Sequence, residues 1–243
     1  MPLKKTVRNA LRHLGYDLHR YHPSVSPSAQ LGSILNFLEI DLVLDVGANE
    51  GQFGQQLREL GYCGHIVSFE PLSEPRQKLL AASRNDRLWD VAEQAALGDV
   101  AGEIEIHISA NSVSSSALQM LPAHVQSAPD SGFVGVERVP IKRLDDLTEA
   151  VLGKRKNAFL KIDTQGYEDR VLNGASVTLG RLAAVQLELS LVPLYKDQML
   201  YREMIERMST LGFEMWAAWP AFVDPESGRS LQLDATFVRC GHR

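Results

Sequence analysis

Residues 45–51, Asp45-Val46-Gly47-Ala48-Asn49-Glu50-Gly51, hold the densest chemistry in the chain. They close a short apolar run, 42–46. Glycines at 47 and 51 let a backbone turn sharply and let a ligand come close to it. Glu70 stands about twenty residues past that turn, at the end of a second apolar run, 66–70, where nucleotide-binding α/β folds place a carboxylate that accepts hydrogen bonds from two ribose hydroxyls. Turn and carboxylate together imply a ligand that contains adenosine. The dinucleotide fingerprint G-x-G-x-x-G fails, because counting from Gly47 its second and third glycine positions hold Asn49 and Gln52. No Gly-Lys-Ser/Thr follows the glycines, so a triphosphate-binding loop is absent too. Charge points the same way. A pyrophosphate here would meet the carboxylates of Asp45 and Glu50, whereas a sulfonium ligand with an amino group suits an acidic turn.

A second set of groups lies further along. Asp163 ends the apolar run 159–163, facing the crevice where α/β sheets bind ligands. A carboxylate there can orient or deprotonate an acceptor hydroxyl, or it can cap the helix that follows; both accounts stay open. Lys161 falls on the same face of a regular strand and is expected to pair structurally with Asp163. Glu188, in the run 185–189, reaches the same crevice. Asp163 with Glu188 is a conceivable pair for a divalent cation, but the sequence offers no third ligand, so no metal site is assigned. His107 sits on the outward phase of an alternating stretch and reads as solvated. His19 and His22, flanking Tyr21, read as surface groups. Tyr195, Trp216 and Trp219 can pack against a sugar ring, although core or hairpin packing is the usual fate of such residues.

Repeated strand–helix units must carry these groups. Residues 42–46 read as a buried parallel strand, followed by a helix with Phe53, Leu57 and Leu60 that stops at Gly61. After the second strand, 66–70, the next helix takes Ser73 as N-cap and Pro75 in its first turn, with Leu79 and Leu80 apolar. A weaker third strand spans 91–97. The fourth and fifth strands, 159–163 and 185–189, flank a helix that ends near Gly174. A further helix covers 197–211 and ends at Gly212, and strands at 213–219 and 231–238 form a closing hairpin. One stretch breaks the rhythm: Glu103-Ile104-Glu105-Ile106-His107-Ile108 alternates strictly, like a half-exposed strand. With the serine-rich segment and Val139-Pro140-Ile141 after it, it is expected to add strands and a loop over the site. The pattern is that of an α/β, Rossmann-like fold, a mostly parallel sheet with helices on both faces.

The N-terminal segment stands apart. Leu3, Val7, Leu11, Leu14 and Leu18 recur at spacings of three and four, which predicts an amphipathic helix over 3–18 with Lys4, Lys5, Arg8 and Arg12 around its stripe. Such a helix can rest on an anionic membrane surface or dock on the domain. Pro23 and Pro27 mark a linker, and Leu31, Ile34, Leu35 and Leu38 form the buried face of a short helix. The expected division is 1–30, helix and linker, and 31–243, the main domain. The chain has 243 residues, 44% of them hydrophobic, enough for one α/β domain with a substantial core. A formal net charge of −5 gives no reason to expect nucleic acid as partner. Cys63 and Cys240 have no zinc-like spacing and fit a reducing, cytoplasmic setting. No run has the length of a membrane span, and no apolar signal core follows the basic N-terminus.

The turn at 45–51, the triplet Phe69-Glu70-Pro71 and the stretch Leu160-Lys161-Ile162-Asp163-Thr164-Gln165-Gly166-Tyr167-Glu168 resemble the FkbM family of class I S-adenosylmethionine-dependent methyltransferases. Val171-Leu172-Asn173-Gly174-Ala175 and Glu188-Leu189-Ser190 extend the likeness, which runs over roughly 42–212. The resemblance implies a seven-stranded sheet whose last hairpin makes one strand antiparallel. It implies methyl transfer from S-adenosylmethionine to a hydroxyl of a sugar, glycan or glycolipid. A polyketide-like acceptor, or an adenosine-ligand-binding module without turnover, is the alternative. Asp45, Gly47, Ala48, Asn49, Gly51 and Phe53 are expected at the cofactor, together with Glu70, Pro71, Ala96 and Ser115. Asp163, Lys161 and Glu188 are expected at the transfer step. Ser114, Ser115 and Ser116 resemble a serine-rich segment of the family. Gln165 departs from it, since the family often has Glu there.

Overall fold

An apolar run without alternation marks a strand covered on both faces, and Leu42–Val46 forms one, β1, with every residue buried. The computed structural model describes the backbone of residues 2–155 and 157–241, and within those spans the side chains from residue 7 onward. In chain order its elements are α1 (Pro2–His13), α2 (Pro27–Phe37), β1, α3 (Gln52–Glu59), β2 (His65–Phe69), α4 (Ser73–Ser83) and β3 (Trp89–Val91). Then come β4 (Ala96–Leu97), β5 (Gly102–Ser109), α5 (Pro122–Ser127), β6 (Phe133–Lys142), α6 (Thr148–Leu152) and β7 (Ala158–Ile162). The remainder is α7 (Glu168–Asn173), α8 (Ser176–Leu179), β8 (Leu182–Ser190), α9 (Tyr201–Thr210), β9 (Phe213–Val223) and β10 (Ser230–Arg239).

The main sheet has the order β3-β2-β1-β7-β8-β10-β9. It is parallel from β3 through β8, and β10 runs antiparallel to both its neighbours. From β1 the chain winds out to β2 and β3 on one side and returns through β7 on the other. The strand ends therefore part beside β1, which is where such sheets bind ligands. Alternation along β1 divides the core in two. Leu42, Leu44 and Val46 face α7 and α9 with Ile162, Leu187, Met204 and Met208. Val43 and Phe159 face α2, α3 and α4 through Leu31, Ile34, Leu57 and Leu79.

The elements depart from expectation in a few places. The helix α1 ends at His13, well short of residue 18, because Gly15 turns left-handed (φ 83°) and Arg8 and Arg12 both fold onto Asp17 at 3.0 and 2.9 Å. Leu14 and Leu18 follow the helix, exposed, while Leu3, Lys4 and Lys5 lie outside the described side chains. The boundary expected after residue 30 falls inside α2, which Ser26 caps by accepting the Ala29 N–H at 3.2 Å. At α4 the cap position belongs to Leu72 instead of Ser73, and Leu80 is exposed where Leu79 is buried. The third strand expected over 91–97 is two strands: β3 at the edge of the main sheet, and β4 in a separate sheet, β4-β6-β5, made by the insertion. Among the described residues no helix is long and apolar enough to cross a membrane.

Candidate active site

The turn after β1 puts Gly47, Asn49 and Gly51 in left-handed backbone, with φ of 76°, 48° and 93°. At Gly47 nothing larger fits, since a Cβ would stand 1.9 Å from the carbonyl oxygen of Asp163. The N–H groups of Gly47 and Ala48 donate to the Phe69 carbonyl, each at 3.1 Å. The N–H of Asn49 donates to Glu70 Oε2 and that of Leu72 to Glu70 Oε1, both at 2.8 Å. The ends of β1 and β2 thus form one hydrogen-bonded unit around a carboxylate. Burial pushes Glu70 up to about 7, against the pull of those two amides. Each of its oxygens keeps a lone pair for a further donor.

A cavity of about 590 Å³ opens on this turn, within the usual range for small-molecule sites. On one side it is lined by Gly47, Ala48, Asn49, Phe53, Glu70, Pro71, Ala96, Leu97 and Ser115. On the other it is lined by Lys161, Asp163, Gln165, Gln186, Trp219, Asp234 and Thr236, with Gln30 and Ile34 of α2 above them.

Strand register builds the second side. Ser68, Asp45, Lys161, Gln186, Thr236 and Ala217 pair in one row across β2, β1, β7, β8, β10 and β9, so their side chains share a face of the sheet. Glu188, Asp234 and Trp219 make a second row, nearer the carboxyl end of β8. Lys161 Nζ lies 3.5 Å from Asp45 Oδ1, 3.2 Å from Asp163 Oδ2 and 5.4 Å from the centre of the Phe53 ring. Burial works to lower Lys161, but Asp163 and Asp45 outweigh it and hold the ammonium charged. Asp45 is wholly buried, which raises its carboxyl, while Lys161 and the Ser68 hydroxyl, donating at 3.2 Å, pull it back.

The loop after β7 is held by Glu168, whose Oε1 accepts from Thr164 N–H at 2.9 Å, Thr164 Oγ1 at 3.2 Å and Gly166 N–H at 3.2 Å. Burial raises Glu168 to about 7. Within this loop Gln165 takes left-handed backbone (φ 55°). Its Nε2 donates to Asp163 Oδ1 at 2.8 Å and to Glu188 Oε2 at 2.9 Å, and the Tyr195 hydroxyl donates to its Oε1 at 2.9 Å. Glu188 also accepts from Gln232 Nε2 at 2.6 Å. Burial, then the neighbouring Asp163, Glu168 and Asp234, raise Glu188 well above the ordinary glutamate range. The amide of Gln165 therefore stands between the two carboxylates weighed as a cation pair. Among the described residues no group of three or more His, Cys, Asp or Glu is gathered as a metal site needs.

Of the residues expected at the cofactor, Gly47, Ala48, Asn49, Phe53, Glu70, Pro71, Ala96 and Ser115 line the cavity, while Asp45 and Gly51 lie behind its wall. Asp45 sits under Lys161, and Gly51 packs so closely on Leu79 and Trp89 that a Cβ would come within 3.0 Å of Leu79. Glu50 turns outward to Lys78 at 2.8 Å. The negative charge facing the cavity at this end is thus that of Glu70, not of Asp45 and Glu50. Lys161 and Asp163 line the cavity, and Glu188 stands behind Gln165. Trp219 lines it too, whereas Tyr195 is wholly buried and Trp216 packs on Phe37 at the surface. His107 stacks on Phe133 with ring centres 4.9 Å apart. Sequence reasoning missed Asp234, Gln186, Thr236 and Gln30. Alternation in β8 and β10 gives their face, but only the pairing of distant strands brings them to the site.

Strand order, with one antiparallel strand next to the edge, and a cavity leading from a glycine turn to a charged strand end are those of class I methyltransferases, which take their methyl group from S-adenosylmethionine. The family is set by the sequence: residues 45–215, more than half of the chain, match the Methyltransferase FkbM domain, and the chain belongs to that family. No curated protein matches the chain significantly. Among solved structures, an rRNA methylase from Streptococcus thermophilus aligns at 10% identity over 88% of this chain and 97% of its own, with a TM-score of 0.49. TehB from Haemophilus influenzae aligns at 10% identity over 87% of this chain and 62% of its own, TM-score 0.47. A protein of the NADB-Rossmann superfamily from Streptococcus agalactiae aligns at 14% identity over 94% and 72%, TM-score 0.46. The residues present fit S-adenosylmethionine. Glu70 has lone pairs to spare at the end of β2, and Asn49 Oδ1 in the turn is buried with no donor of the protein's own.

Proposed function

We propose that the protein methylates a hydroxyl oxygen of a sugar, glycan or glycolipid. The observation that carries this reading is the placement of Asp163. Its backbone touches the Gly47 turn, and its carboxylate faces the cavity between Lys161 and Gln165. Bound S-adenosylmethionine supplies a methyl group activated by its sulfonium. Glu70 would accept from the ribose hydroxyls, Pro71, Ala96 and Leu97 would offer apolar surface to the base, and the turn at Gly47, Ala48 and Asn49 would receive the amino-acid end. Asp163 accepts a hydrogen bond from the acceptor hydroxyl and aims its oxygen at the methyl carbon. As the acceptor oxygen takes the methyl group, Asp163 would accept the hydroxyl proton, and the donor would leave as the neutral thioether. Most of the acceleration comes from holding oxygen and methyl at about 3–3.5 Å. Trp219 offers an aromatic face to a ring. Exposed Leu14, Tyr16 and Leu18 beside α1 support an acceptor carried on a membrane surface.

The test is transfer of labelled methyl from S-adenosylmethionine to extracted glycans, glycolipids and small hydroxylated metabolites. Label is expected as a methyl ether on the sugar-containing fractions. With the Asp163→Asn protein the rate is expected to fall by about 10²–10⁴ while cofactor affinity holds. Label confined to metabolites without sugar, or transfer at the parent rate by Asp163→Asn, overturns the reading.

A further inference from the structure

The cavity continues past Asp163 and ends on a carboxylate with no counterpart. Asp234 lies in β10, opposite Glu188 of β8 and Trp219 of β9, and its side chain opens into the cavity. Among the described residues the charged groups lining the cavity are Glu70, Lys161, Asp163 and Asp234, with Lys161 the one cation among them. Asp45 and Asp163 already engage that cation at 3.5 and 3.2 Å. Among the described residues no ion pair and no side-chain hydrogen bond reaches Asp234. Its side chain is exposed on the cavity wall, and partial desolvation there, with Asp163 nearby, raises its carboxyl to about 6 in spite of Lys161. At neutral pH it remains an anion. Trp219 stands beside it, its indole N–H donating to Gln30 of α2, which fixes the plane of the ring. Thr236 follows two positions along β10 on the same face.

An unpaired anion next to a fixed aromatic ring has a definite preference. It rewards ligands that present hydroxyl or ammonium donors over an apolar ring face, and it repels ligands that bring a second negative charge into the same confined space. We propose, on the basis of the methyltransferase reading, that Asp234 determines acceptor specificity. It receives the donors of a neutral or amino-bearing sugar ring lying on Trp219, and it excludes acceptors with a carboxylate, sulfate or phosphate at that end. Its role is in recognition, away from the methyl group.

The probes are matched p-nitrophenyl glycosides, each set comprising a neutral hexoside, the corresponding amino sugar and the corresponding hexuronide, in the gluco, galacto and manno series. Methyl transfer to each is measured with the parent protein, Asp234→Asn and Asp234→Ser. The parent is expected to methylate neutral and amino members and to leave hexuronides nearly untouched. Either variant is expected to raise the acceptor KM by about tenfold or more, the scale of a charged hydrogen bond, to narrow the gap to hexuronides, and to leave S-adenosylmethionine affinity by calorimetry unchanged. A merely structural residue would not give the accompanying pH profile. Acceptor KM of the parent rises below about pH 6, and that of Asp234→Asn does not. The groups facing Asp234 are Lys161, held charged by Asp163 and Asp45, together with Glu188, raised by burial, and Asp163, and all three are common to parent and variant. Hexuronides accepted as well as hexosides, or an unchanged acceptor KM in both variants, overturn the inference and leave the methyltransferase reading standing. Cofactor binding with no methylation of any sugar hydroxyl overturns that reading and the inference with it.

Discussion

On the β1–β2 side of the cavity a ligand meets a left-handed turn, two strand ends tied through Glu70, and one glycine, Gly47, hemmed in by the Asp163 backbone. On the β7–β10 side it meets side chains, projected in rows from strands far apart in the sequence. The first side is specified by conformation, so substitution there disturbs the chain itself. The second is specified by residue identity on a fixed sheet, so substitution there changes what is recognised and leaves the path of the chain alone. A common donor and a variable acceptor call for this division.

The largest effect should come where main chain meets main chain. Gly47→Val combines a φ of 76° with a Cβ only 1.9 Å from the Asp163 carbonyl oxygen, and is expected to destabilise the protein by ~3–5 kcal/mol, read as lost soluble yield or a collapsed melting temperature. Thr236→Val, an isosteric change on the other side, should leave melting nearly unchanged. A Gly47→Val protein that melts normally and merely loses cofactor affinity would break the contrast. Next comes Glu70→Ala. It removes the carboxylate that ties the turn and that is proposed to accept from the ribose, and cofactor affinity by calorimetry is expected to weaken by roughly 1.5–3 kcal/mol. Parent-like affinity would sever Glu70 from the ribose.

A smaller effect concerns pH. Burial raises Glu70 and Glu168 to about 7 in the folded protein, above the ordinary glutamate value near 4.3. Between those values the folded state binds more protons than the unfolded one, so stability falls as pH rises through the window. Ligand-free protein should melt higher at about pH 5 than at about pH 8, by some 4 °C or more, and Glu70→Gln should flatten part of that slope. A melting temperature that rises from pH 5 to 8 would contradict the placement of both carboxyls. The smallest effect expected is none: removing residues 1–22 should leave cofactor affinity unchanged, because among the described residues none of α1 lines the cavity.

What was legible in the sequence follows the same division. The strand β1 lies where its apolar run predicts, and the glycine turn and Glu70 meet at the cavity, because local conformation and a fixed spacing carry that information. Asp45 reads from sequence as a ligand-facing acid, yet it is buried behind the cavity wall. Its partner Lys161 arrives from a strand far along the chain and takes it out of reach. The segment 91–97 reads as one strand, yet Glu93 and Gln94 divide it between two sheets, a matter of which distant edge each piece finds. Trp219 reads from sequence only as one of three aromatics that can pack against a sugar ring, and Asp234 carries no local signal at all. Antiparallel register with β8 decides that they face Lys161.

The position of β10 has a consequence for how the protein comes into being. It is inserted between β8 and β9, it follows every other strand in the chain, and β9 is paired to the sheet through it alone. A nascent chain that has emerged as far as β8 already contains the glycine turn, Glu70, Lys161 and Asp163. It still lacks Trp219, Asp234 and Thr236. Synthesis from N- to C-terminus therefore delivers the donor pocket before the acceptor pocket. A ribosome that stalls before β10 leaves a fragment that carries the glycine turn and Glu70 but neither Asp234 nor Thr236.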